Sequence, residues 1–158
     1  MHKKIAVSFG VFAVLFLISA CQAKDVAIVV NKANPITELS LQDLRQIFKA
    51  ERQFWDGKKI HLLMREEGAW EKEIILKKVY AMSDEELKKF WLGKIFRGEV
   101  TTFPQIISSP LMINKLIQNL AGAIGFLDSQ AVDDNIKVIK IEGRLPGQEG
   151  YALKEEQE

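Results

Sequence analysis

Apolar residues along this chain fall into two kinds of spacing, short unbroken runs and helical repeats, and the two kinds alternate. Asp25-Val26-Ala27-Ile28-Val29-Val30-Asn31 is a continuous apolar run between polar residues, the pattern of a strand buried on both faces. Asn34-Pro35 breaks it. Ser40 then caps a helix whose apolar positions are Leu41, Leu44, Ile47 and Phe48, ending near Ala50 ahead of a turn at Asp56-Gly57. Lys59 to Arg65 reads as a second strand, Glu66-Glu67-Gly68 as a turn, and Ala69 to Tyr80 as a helix with Ile74, Ile75 and Val79 inward. Ser83 with Glu86 forms a capping box that opens a helix through Leu87, Phe90, Trp91 and Ile95, closed by Gly98. Pro110 suits the first turn of a helix carrying Leu111, Ile113, Leu116, Ile117 and Leu120. Residues 122–127 and 136–141 are the remaining strands. Four strands interleaved with four helices predict an α/β fold with a mainly parallel sheet and helices on both faces.

The first segment follows neither pattern. A basic start, Met1-His2-Lys3-Lys4, leads into an apolar run from Ile5 to Ala20 interrupted only by Ser8, Gly10 and Ser19. That is a secretory signal layout, and the run is short of the roughly 20 residues of a permanent membrane span. Leu17-Ile18-Ser19-Ala20-Cys21 resembles the bacterial lipobox, which implies cleavage before Cys21 and acylation of that cysteine. An ordinary signal peptide, or an uncleaved anchor with an incidental cysteine, is the alternative. Several acyl chains at about 0.8 kcal/mol per buried methylene hold a small domain on a membrane without a spanning helix. The expected organisation is a signal peptide over 1–20, a lipidated N-terminus and linker over 21–24, one domain over 25–153, and a frayed polar tail over 154–158.

Charge narrows the function. The chain has 22 basic and 21 acidic residues, and loss of Lys3 and Lys4 with the signal leaves 20 against 21. A nearly neutral exported domain has no basic face for a nucleic-acid backbone. With the sole cysteine acylated, no thiol remains for a disulfide or zinc, so stability rests on a hydrophobic core. Catalysis finds little support: His61 is the one histidine after the signal and sits on a strand, while Glu66-Glu67 and Asp133-Asp134 are adjacent pairs in turns rather than carboxylates flanking a substrate. No zinc spacing, nucleophile elbow or Walker loop occurs, and no cofactor or metal is expected.

Several motifs in register carry a resemblance. Leu39-Ser40-Leu41 through Ile47-Phe48, then Trp55-Asp56-Gly57, then Phe90-Trp91 with Phe96-Arg97-Gly98 and Pro104, then Gly122-Ala123-Ile124-Gly125-Phe126, resemble the phosphate-type periplasmic substrate-binding proteins of ABC transporters. The likeness runs over most of residues 26–141. These residues also have a plain physical explanation as core aliphatics, core aromatics and close-packing glycines, so they speak to fold rather than ligand.

The resemblance implies a periplasmic-binding-protein-like fold and a site for inorganic phosphate or a similar oxyanion. In that family a strand ends in an arginine and enters a Ser-Gly-Thr-like turn at a helix start, where amides, hydroxyls and guanidinium surround the anion. Here Arg65, Gly68 and Ala69 take those positions, but Glu66, Glu67, Ala69 and Trp70 replace the hydroxyl residues. Arg65 pairing with Glu66, Glu67 or Glu71 is the competing expectation. Family members have two lobes, whereas this chain matches one, so a transporter permease or a second chain completes the cleft. Two functions follow: a lipid-anchored, extracytoplasmic solute-binding protein, or an envelope-anchored interaction module that has lost its ligand and docks a partner, with Trp70 as an exposed anchor. Gln22 in place of aspartate after Cys21 leans toward the outer membrane where one exists, by resemblance to the sorting rule.

Overall fold

A computed structural model describes residues 24–156. The signal peptide and Cys21 lie outside the described residues. In chain order the strands and helices are β1 (Val26–Asn31), β2 (Glu38–Leu39), α1 (Leu41–Phe48), β3 (Phe54–Trp55), β4 (Lys58–Lys59) and β5 (His61–Arg65). There follow α2 (Trp70–Ile75), which continues as a π-helical turn over Leu76–Tyr80, α3 (Asp84–Phe96), β6 (Gln105–Ile107) and α4 (Pro110–Asn119). β7 (Ala123–Asp128), a 3-10 turn over Ser129–Ala131, β8 (Ile136–Val138) and β9 (Lys140–Ile141) complete the fold.

The main sheet has the order β6-β5-β7-β1-β8. β5, β6 and β7 are mutually parallel, β1 runs against β7 and β8, and β8 therefore points with the other three. The unbroken apolar run of β1 has its explanation in the two faces. Val26, Ile28 and Val30 enter one core with α1, α2 and α3, whereas Ala27 and Val29 enter a second core under α4. Helices thus cover both faces, as the alternation predicts. The strands and helices from Val26 to Ile141, together with Tyr151 and Leu153, supply both cores.

Local signals hold at the helix ends. Ser40 with Asp43 and Ser83 with Glu86 form reciprocal capping boxes. α3 closes in a Schellman motif, with Gly98 N–H donating to Ile95 O at 2.9 Å and Glu99 N–H to Lys94 O at 3.0 Å. Asp56 and Gly57, both at positive φ, join β3 to β4 as a two-residue hairpin loop.

Three features depart from the sequence reading. Residues 136–141 are not one strand: β8 pairs with β1, Ile139 turns the chain, and β9 pairs with β2 in a separate ribbon. β6 is a fifth strand of the main sheet, only three residues long between Pro104 and Ser108, too short to show a period. The tail is docked as far as Glu156 rather than frayed. Glu155 N–H donates to Lys24 O, and the Glu156 carboxylate meets Lys77 at 2.8 Å and Lys78 at 3.0 Å. Among the described residues no helix is long and apolar enough to cross a membrane.

Candidate functional site

Strand direction creates one edge where chemistry can gather. The C-terminal ends of β5, β6, β7 and β8 line up beside the start of β1, and the connections after them carry polar residues. In open α/β sheets this is the edge that holds ligands.

Arg65, last in β5, is 7% exposed. Its Nη1 donates to Ile107 O at 3.0 Å and also to Ser108 O, tying the end of β5 to the end of β6. Its Nε lies 3.5 Å from the Glu71 Oε1, without the geometry of a hydrogen bond. Glu71 stands in the first turn of α2 and is 3% exposed. Of the three candidate partners read from the sequence, Glu71 is the one the fold selects. Glu67 turns outward to Lys88 at 2.9 Å on α3, which holds the Lys88 ammonium above its ordinary pKa, and Glu66 is exposed. Neither glutamate of the turn faces the guanidinium as its partner.

Gly68 sits at φ +82°, a backbone that the turn into α2 requires and that a side chain would strain. Ala69 is the N-cap of α2 and provides no side-chain cap. Trp70 is not an exposed anchor: it is half-buried, packed against the core shared by α1, α2 and α3, and Lys24 Nζ lies 5.6 Å from its ring centroid. Arg65, Gly68 and Ala69 therefore lie within one β5–α2 connection.

Hydroxyls that the turn 66–69 lacks are present one strand away. Ser108 and Ser109 follow β6, and Ser109 is the N-cap of α4 without a side-chain bond to the helix. The signal was visible as Ser108-Ser109-Pro110, a cap sequence followed by proline at the first helical position. The Arg65 bond to the Ser108 carbonyl is what brings this second helix start beside the guanidinium.

At the far side of the same edge, Asp25 is buried. Its Oδ2 accepts from Gly147 N–H, while its Oδ1 has no hydrogen-bond partner. A hollow of about 390 Å³ lies beside it, bordered by Ser129, Gln130 and Pro146. Another hollow, of about 400 Å³, lies away from Arg65 at the opposite edge, around His61, Trp91 and Phe103. The predicted anion residues and this second hollow are thus separate places. Among the described residues no cluster of three or more histidine, cysteine, aspartate or glutamate side chains is arranged to hold a metal.

The described residues have an α/β fold like that of part of the periplasmic binding proteins. Solved structures with this fold include a phosphate ABC transporter substrate-binding protein with bound phosphate from Clostridium perfringens, at TM-score 0.63 and 23% identity, covering 77% of this chain and 46% of that one. An ABC-type phosphate transport receptor from Vibrio cholerae matches at TM-score 0.65 and 23% identity, over 79% of this chain and 49% of that one. PstS from Borrelia burgdorferi matches at TM-score 0.65 and 14% identity, over 84% and 55%. The chain thus spans about half the length of the structures it matches. No family model and no curated protein matches its sequence.

Proposed function

We propose that the protein is an extracytoplasmic solute-binding protein of the phosphate type, held on the cell envelope through lipid on Cys21, and that it binds phosphate or a related oxyanion at the Arg65 edge without catalysis. The observation that carries this reading is Arg65 itself, a buried guanidinium at the C-terminal end of a strand in a sheet whose neighbours in fold include a protein with bound phosphate. Gly68 and Ala69 on one side and the Ser108-Ser109 start of α4 on the other bring amides and hydroxyls of the sort that take an oxyanion, although the Ala69 N–H donates to Glu66 O at 3.3 Å and must exchange that bond for the anion.

Two features make this lobe, taken by itself, a weak binder. Glu71 already neutralises part of Arg65, so an anion competes with a built-in carboxylate. One lobe also leaves a bound anion open to water on one side, where charge interactions are screened. Tight binding therefore calls for a second protein surface over the edge, a permease or another chain, and the lipid anchor raises the local concentration of such a partner.

Nuclear magnetic resonance titration of the chain from residue 22 with inorganic phosphate tests the proposal. Weak saturable binding, with dissociation in the millimolar range, is expected to move the amides of residues 65–70 and of Ser108, Ser109, Leu111 and Met112, and Glu71→Gln is expected to tighten it about tenfold by removing the competing charge. No response in either protein rejects oxyanion binding. One observation favours a second reading, an interaction module without a ligand: the guanidinium is occupied by Glu71 and by two carbonyls. That reading predicts the absence of response.

A further inference from the structure

The hollow of about 400 Å³ at the other edge of the sheet has the makings of a site of its own. We infer that it takes a small amphipathic anion, an apolar body with one carboxylate- or sulfonate-like head, independently of Arg65. Its size is within the range of small-molecule sites, about 300–1,000 Å³. Buried Ile47, Leu63 and Trp91 give it an apolar floor, and Phe103, 52% exposed, forms part of its wall. An aromatic ring held in water beside an apolar floor gains by covering both with a ligand's hydrocarbon.

The rim supplies the charge preference. Arg52, Lys59 and His61 line it, and none of their side chains makes a hydrogen bond or ion pair within the described residues, the Arg52 guanidinium acting only at a distance on Asp43. The carboxylate on the rim, Glu99, is taken by Arg97 and by Lys94 at 2.8 Å, which hold its pKa down at about 2. Thr101 and Thr102, also on the rim, have side-chain hydroxyls without protein partners. An incoming anion thus meets unpaired cations and free donors over an apolar base, a combination that neither a neutral hydrocarbon nor a bare inorganic ion uses in full.

The test is a resonance titration of the chain from residue 22 with sodium octanoate, and separately with octanol and with sodium acetate. The expected result is saturable one-to-one binding of octanoate that moves residues 59–63 and 99–105, with octanol and acetate each weaker by about tenfold or more. Arg52→Glu with Lys59→Glu, both exposed, is expected to weaken octanoate about tenfold without disturbing the rest of the spectrum, and Val100→Trp to block it by filling the hollow. Excess phosphate leaves the octanoate response unchanged, which separates this site from the Arg65 edge. Shifts spread over the surface without saturation, or equal affinity for octanoate and octanol, or indifference to the charge reversal, overturn the inference.

Discussion

Arg65 and Glu71 answer differently to substitution although they share one buried contact. Arg65 keeps two carbonyl acceptors when Glu71 is lost, so Glu71→Ala is expected to cost about 3 kcal/mol, the low end for breaking a buried pair. Two backbone positions make sharper tests. A Cβ on Gly122 would lie 2.2 Å from Lys59 O, backbone that cannot move aside, so Gly122→Ala is expected to lose about 1–3 kcal/mol in urea denaturation. Ala50 closes α1 in a Schellman motif at φ +54°, a conformation that disfavours alanine. Ala50→Gly is expected to gain about 0.5–1 kcal/mol, and a loss would contradict this account of the cap. At this scale the sequence was a partial guide. It named Arg65 and offered Glu71 among three partners, but which glutamate wins depends on where the first turn of α2 points, and Ser108 and Ser109, after β6, come beside Arg65 only through pairing across the sheet.

Helices α2 and α3 are joined by a second buried ion pair, Lys72 Nζ to Asp84 Oδ1 at 2.7 Å, with side chains 6% and 16% exposed. Removing one partner strands the other, so Lys72→Met and Asp84→Ala are each expected to cost about 3 kcal/mol, and the double variant less than the sum by at least about 1 kcal/mol. Additive losses in denaturant melts would show that the pair contributes only through packing. All four helices were legible from their apolar spacing, and the caps of α1 and α3 because a cap is a local device, written within four residues. Strand pairing was less so. In the run 136–141 the alternation of apolar residues slips at Val138-Ile139, a one-residue signal that reads as a single strand until Ile139 N–H is seen to donate to Ile28 O and Lys140 N–H to Thr37 O, partners more than a hundred residues away that divide it between two sheets.

The described residues stand on two cores and a docked C-terminal segment, and two exposed carboxylates, one after α3 and one in that segment, shape the response to acid. Glu99 and Glu156 have pKa values held at about 2 against an ordinary 4.5, the first by hydrogen bonds from Arg97 and Lys94, the second by those from Lys77 and Lys78. A carboxylate whose folded pKa is depressed stabilises above its unfolded pKa and loses that contribution as pH falls through the folded one. Stability is therefore expected to decline from about pH 4.5 toward 2. Both groups are exposed, so the decline is modest and shrinks with salt. Glu99→Gln combined with Glu156→Gln should flatten the denaturation midpoint over that window, and an unchanged slope would assign the acid response to other groups.

Fold class was readable from the alternation of runs and helical spacings because doubly wound packing imposes both periods on the sequence. Function was less readable, since an anion site is made where separate strand ends converge. The phosphate titration of the chain from residue 22, run beside Glu71→Gln, tests the central claim most directly. The account predicts saturable shifts centred on residues 65–70 and on Ser108, Ser109, Leu111 and Met112, about tenfold tighter in the variant; unmoved amides at those positions in both proteins, with phosphate in the tens of millimolar, would contradict it.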